Sequence, residues 1–184
     1  LHLGYIPKPL TIYNEVSKFP PGHIGIIKNN QITIHKYWDT FSKITPDVLS
    51  DEQEAKKELK ALLSSSIKYR LKCDVPFGTF LSGGVDSSLI TAIAQDVSNQ
   101  KINTFTIGFD NPKFNETEFA KQVSDHIGTN HHEFMVSEND AKDLVEDIIN
   151  YYDEPFGDSS SIPTMMVSQL AKKHVTMTLS GDGG

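Results

Sequence analysis

Phe77–Ile90 reads "FGTFLSGGVDSSLI", and the fold turns on this stretch. An apolar run ends in Ser82-Gly83-Gly84, and a helical apolar pattern begins after Asp86-Ser87-Ser88. That is a buried strand delivering a tight turn into a helix. Two glycines allow a sharp backbone and a close approach by a ligand. The amides of Val85 to Ser88 then point out of a helix N-terminus, where the dipole favours anions. Ser82, Ser87 and Ser88 add hydroxyl donors, so a phosphate chain is the expected ligand. The common triphosphate loop needs a Gly-Lys-Ser/Thr ending, and no lysine stands here. A carboxylate, Asp86, stands there instead. Facing phosphates, it needs a cation between, which points to Mg²⁺. The plainer alternative, with Ser82 or Asp86 as an ordinary helix cap, does not account for the whole of "LSGGVDSS".

Outward from the turn, strands and helices alternate. The pattern predicts strands at Val75–Leu81, Ile102–Phe109, His132–Val136 and Val175–Leu179, and helices at Asp51–Lys72, Ser88–Val97, Asn115–Gly128, Ala141–Tyr152 and Ile162–Lys173. Asn115 is the expected cap of its helix and Gly128 its stop. The fold class is therefore α/β, a doubly wound parallel sheet with helices on both faces. Ligands bind such sheets at the carboxyl ends of the strands. Before this region, His23–Trp38 reads as a β-hairpin turning at Lys28-Asn29-Asn30. Residues 1–22 carry four prolines and read as loop.

Composition narrows the function. The 184 residues carry a net charge of −7 with no basic cluster, which speaks against a nucleic-acid surface. A single cysteine, Cys73, allows no disulfide within the chain. With no signal peptide and no apolar run long enough for a membrane span, a reducing, cytoplasmic setting is expected. Arg70 is the one arginine, so a guanidinium clamp on a substrate carboxylate has almost no source. His131-His132-Glu133 invites a metal reading. Adjacent strand residues face opposite ways, so a structural histidine pair is preferred. Ser82 is no nucleophile of the Gly-x-Ser-x-Gly kind, since position 80 is Phe. The acidic run Tyr151–Ser161 reads as a loop over the site. Leu59, Leu62, Leu63 and Ile67 form a packing stripe.

"SGGVDSS" resembles the pyrophosphate loop of the ATP-pyrophosphatase (PP-loop) superfamily. With "TFTIGF", "NETEFAKQVSDHIGTNHHEF", "DEPFGDSSSIPT" and "TLSGDGG", the order resembles the synthetase domain of glutamine-dependent asparagine synthetases. "GYIPKPLTIYNEVSKFPPGH" and "YWD" resemble the tail of their glutaminase domain. The resemblance implies residues 1–42 as glutaminase tail and linker, and 43–184 as the N-terminal part of the synthetase domain. It implies ATP and Mg²⁺, and the making of asparagine from aspartate, ATP and glutamine-derived ammonia. Relatives that amidate other carboxylates share the loop, and a nucleotide-binding module without catalysis is the rival of a different class. A homodimer is compatible with the likeness.

Position by position, Phe80, Ile107, Ser180 and Gly181 match backbone contacts to the nucleotide, Asp86 the Mg²⁺ carboxylate, and Asp182 an acidic residue near the acyl substrate. The chain departs from the family in beginning with Leu1 rather than a nucleophilic cysteine. A second Mg²⁺ carboxylate is expected directly after Gly184, and a lysine further on. The ends thus read as cut from a larger protein, with the piece alone inactive.

Overall fold

The computed structural model describes residues 2–44, 51–111 and 115–181. These fall into two compact units, residues 1–52 with 149–158, and residues 53–148 with 159–184.

The larger unit holds a four-stranded parallel sheet. In chain order its elements are helix α1 (Glu52–Arg70), β3 (Phe77–Phe80), α2 (Val85–Val97), β4 (Asn103–Phe109), α3 (Thr117–Ile127), β5 (Asn130–Val136), α4 (Glu138–Asp143), α6 (Ser161–Ala171) and β6 (Met177–Leu179). The strand order is β5-β4-β3-β6, with Gly78 opposite Asn103 and Thr178, and Ile107 opposite Phe134. The chain steps outward from β3 to β5 and then returns across β3 to β6. The order therefore reverses at β3, the strand that feeds the glycine turn.

Alternation along β4 settles which helices cover which face. Phe105 is fully buried with Val167, Ala171 and Val175, beneath α6. On the other face, Ile67 of α1 packs with Ile93 and Ala94 of α2 and with Ile102. Thr79 and Thr91 are both fully buried there and share a hydrogen bond of 2.9 Å. Both faces are covered, as the sequence pattern requires.

Boundaries moved where caps decide them. Helix α2 begins at Val85, not Ser88, because Gly84 (ψ 163°) is still extended and serves as its N-cap. Asn115 supports α3 from one position outside the expected place: Glu116 is the cap, and Asn115 Oδ1 accepts from the Thr117 amide at 3.2 Å. Gly128 ends α3 in the left-handed region (φ 83°). The expected helix Ala141–Tyr152 is instead two short pieces, α4 and α5 (Ile148–Tyr151). Ser137 and Asp140 form a reciprocal capping box that starts α4 earlier than the apolar pattern does.

The smaller unit contains the hairpin β1 (His23–Lys28) and β2 (Gln31–Lys36), paired antiparallel. Asn29 and Asn30 both take positive φ, 51° and 59°, as a two-residue hairpin turn demands. Ile24, Ile26, Ile27, Ile32 and Ile34 are exposed. Residues 151–158 of the acidic run belong to this unit: the Gly157 amide donates to the Gly4 carbonyl at 2.6 Å, and Lys18 pairs with Glu154.

Candidate functional site

β3, β4 and β6 run parallel, so their carboxyl ends share one edge, and the N-termini of α2 and α3 open onto it. A cavity of about 410 Å³ lies there. It is lined by Phe80, Leu81, Ser82, Asp86, Ser87, Ile107, Phe109, Glu116, Ser180 and Gly181, with Phe105, Thr106, Pro163, Thr164 and Val167. Seven of the positions singled out in the sequence therefore meet in one place: Phe80, Ser82, Asp86, Ser87, Ile107, Ser180 and Gly181. Gly83, Gly84, Val85 and Ser88 do not line it. Asp182 lies outside the described residues.

The turn is built by its own hydroxyls. Ser82 Oγ and Ser87 Oγ are 2.9 Å apart, the Gly84 amide donates to Ser82 Oγ at 3.2 Å, and Ser87 Oγ donates to the Gly84 carbonyl at 3.2 Å. These bonds shape the loop that carries the first turn of α2. Among the described residues no side chain caps that turn. The amides of Val85, Asp86 and Ser87 have no partner within the helix, while that of Ser88 is spent on the Gly84 carbonyl at 3.0 Å. Ser88 Oγ is buried with no hydrogen-bond partner among the described residues.

The two glycines of the turn differ. Gly83 carries the left-handed backbone (φ +82°), and a Cβ there would lie 2.6 Å from Phe119 Cβ and 2.8 Å from the Ala120 amide. Gly84 has ordinary dihedrals, and its Cβ would meet only Ser82 Oγ, at 3.2 Å. The tight turn assigned to both glycines therefore rests on Gly83. Gly181 serves close approach: a Cβ on it would stand 2.8 Å from the Ser87 amide and 3.1 Å from Asp86 Cβ. The end of β6 thus touches the first turn of α2.

Sequence reasoning missed Phe109, Glu116, Pro163 and Thr164. Phe109 ends β4, so the rule that strand ends converge could have found it. Glu116 caps α3, the next helix on the same edge. Pro163 and Thr164 come from the first turn of α6, and no local pattern marks them.

The two adjacent histidines face opposite sides of β5. His131 Nδ1 lies 2.9 Å from Thr104 Oγ1, while His132 Nε2 lies 3.1 Å from Asn103 Oδ1. His132 also stacks on Phe105 and sits 4.2 Å from the His174 ring. Burial pushes the pKa of His131 down, opposed by Glu133, and burial with the nearby His174 pushes His132 down. Among the described residues no group of three His, Cys, Asp or Glu side chains could hold a metal.

A doubly wound α/β domain, with its cavity where the strand order reverses, is the class that fold and site define. The comparisons with known proteins take this one step further. The family model described as asparagine synthase matches residues 58–184, and the chain belongs to that family. It is 39% identical over 99% of its length to a protein of Methanocaldococcus jannaschii called putative asparagine synthetase [glutamine-hydrolyzing] 2, covering 35% of that relative. It is 32% identical over 97% of its length to asparagine synthetase [glutamine-hydrolyzing] 1 of Bacillus subtilis, covering 28%. To asparagine synthetase B [glutamine-hydrolyzing] of Escherichia coli it is 30% identical over 94% of its length, covering 33%. The chain thus spans about a third of the length of the curated relatives it matches. No helix among the described residues is long and apolar enough to cross a membrane.

Proposed function

We propose that the full-length protein makes asparagine, and that this sheet edge binds ATP and activates the side-chain carboxylate of aspartate. What carries the reading is the convergence of Phe80, Ser82, Asp86, Ser87, Ile107, Ser180 and Gly181 on one cavity, in a chain of the asparagine synthase family. Phe80, Ile107 and Phe109 offer an apolar bed for a base. The free amides at the start of α2 offer donors for phosphates, and Gly181 leaves the Ser87 amide reachable.

The chemistry is an adenylation followed by an amide transfer. A carboxylate oxygen of aspartate attacks the α-phosphorus. The bond from that phosphorus to the α,β-bridging oxygen breaks, and pyrophosphate leaves with the electron pair. Ammonia then attacks the acyl carbon, loses a proton, and AMP departs. The amides of Val85, Asp86 and Ser87 stabilise negative charge on the phosphates as it shifts to the leaving group. Asp86 is exposed on the cavity and fits a Mg²⁺ ligand, because this ion takes one or two carboxylates and completes its shell with phosphates and water. When bound, Mg²⁺ would neutralise phosphate charge. Asp182 keeps its proposed role beside the acyl substrate.

Residues 1–42 are proposed as the tail of a glutaminase domain that supplies the ammonia. An isolated two-stranded hairpin is barely stable in water, and the exposed isoleucines of β1 and β2 suit burial against further strands. The test is a pyrophosphate-release assay on the full-length protein with a panel of carboxylates. Release that depends on aspartate, with asparagine formed on adding glutamine, is expected. Release with a different carboxylate would redirect the substrate, and none with any would leave a nucleotide-binding module.

A further inference from the structure

We propose that Arg70 holds the terminal phosphates of the nucleotide, and then the pyrophosphate released from it; the inference rests on the nucleotide reading above. Arg70 is the sole arginine of the chain and lies at the last residue of α1. It lines a second cavity, of about 310 Å³, with Ser66, Asp86, Leu179, Ser180 and Gly181. Asp86, Ser180 and Gly181 line the first cavity too, so the two chambers meet at the first turn of α2.

Their chemistries differ. Both chambers have aliphatic walls, but only the first adds aromatic rings, Phe80 and Phe109, that suit a base, and only the second adds a guanidinium. A triphosphate with its base in the first chamber and its phosphates over the α2 amides extends towards the second. The β- and γ-phosphates, which leave together as pyrophosphate, are then the groups that reach Arg70. A planar guanidinium fork matches two phosphate oxygens, as a lysine ammonium does not.

Arg70 is also held in place. Its Nη1 donates to the Ser66 carbonyl at 3.1 Å and to Ser66 Oγ at 2.5 Å, which leaves its other donors open. Among the described residues no carboxylate pairs with it. The ordinary alternative is a cation placed to suit the negative end of α1. Lys68 already stands in the same last turn, and that role requires no cavity shared with Asp86 and Gly181.

The experiment is calorimetric titration of the full-length protein with Mg²⁺-pyrophosphate and, separately, with AMP. Arg70→Gln should weaken pyrophosphate roughly ten- to a hundredfold, the loss expected for charge-assisted hydrogen bonds, and leave AMP affinity within about twofold. Arg70→Lys should fall between, since charge stays and the fork is lost. Unchanged pyrophosphate affinity in Arg70→Gln, with AMP bound normally, would overturn the inference alone. An equal loss of AMP and pyrophosphate in both variants would also overturn it, by showing a structural role for Arg70. A wild-type protein that binds neither AMP nor Mg²⁺-pyrophosphate would overturn the nucleotide reading and this inference with it.

Discussion

Gly83→Ala should be far more damaging than Gly84→Ala, although the two residues are neighbours in one loop. Gly83 has φ +82°, a conformation that costs an L-residue about 1–2 kcal/mol. Its new Cβ would also lie 2.6 Å from Phe119 Cβ and 2.8 Å from the Ala120 amide. The second of these is backbone of α3, which yields only if the helix shifts, and such overpacking costs about 1–3 kcal/mol. The sum is a loss of about 2–5 kcal/mol. Gly84, by contrast, has φ −69°, and its Cβ would meet only a serine hydroxyl at 3.2 Å. Its replacement should cost under about 1 kcal/mol, the cost of a poorer N-cap. The assay is urea unfolding of both full-length variants followed by far-UV circular dichroism, with titration of a non-hydrolysable Mg²⁺-ATP analogue under native conditions. Equal midpoints for the two variants, or Gly84→Ala the less stable, would refute the reasoning. It would mean that α3 does not pack against the turn as described.

Asp86→Asn should leave the circular dichroism spectrum unchanged and slow pyrophosphate release roughly a hundredfold, equivalent to about 3 kcal/mol of transition-state stabilisation; activity within a few fold of wild type across a Mg²⁺ titration would reduce Asp86 to a helix-start residue. Thr79→Val should destabilise the fold by about 1–3 kcal/mol by stranding the buried Thr91 hydroxyl, and Thr79→Val with Thr91→Val should recover much of that loss; denaturant midpoints of the two single variants and the double variant check this. Stability should fall as pH drops below about 6.5, the ordinary histidine value. His131 and His132 have lowered pKa values when folded, so the unfolded chain takes up protons first; their contribution is complete above that pH and lost towards the folded values. Thermal midpoints from pH 7.5 to 5 measure it, and His131→Gln should flatten the profile.

Much of this was legible in the residues because the signals are local. Apolar runs of the right length marked all four parallel strands, Asn29-Asn30 marked the hairpin turn, and the serines and glycines after β3 marked the cavity's edge. Where a boundary was misread, a cap decided it. Ser137 and Asp140 bond each other's backbone and start α4 ahead of its apolar residues, and the split between α4 and α5 left no periodic trace. The histidine pair was also readable, because successive strand residues must face opposite ways.

The sequence by itself determined the alternation of strands and helices, the parallel α/β class and the glycine turn after β3, since these follow from hydrophobic period and from what glycine and serine do to a backbone. Only the tertiary structure decided which glycine is irreplaceable and where the sole arginine stands. Gly83 and Gly84 are identical in composition and differ only in dihedral angle and in the approach of α3. In sequence Arg70 stands out as the one arginine, but nothing in the residues around it places it near the glycine turn. It shares a chamber with Asp86 and Gly181 because β6, the last of the described strands, returns to pair with the first strand of the sheet. Such a contact between distant residues is set by strand pairing and helix packing, which no short window of sequence contains.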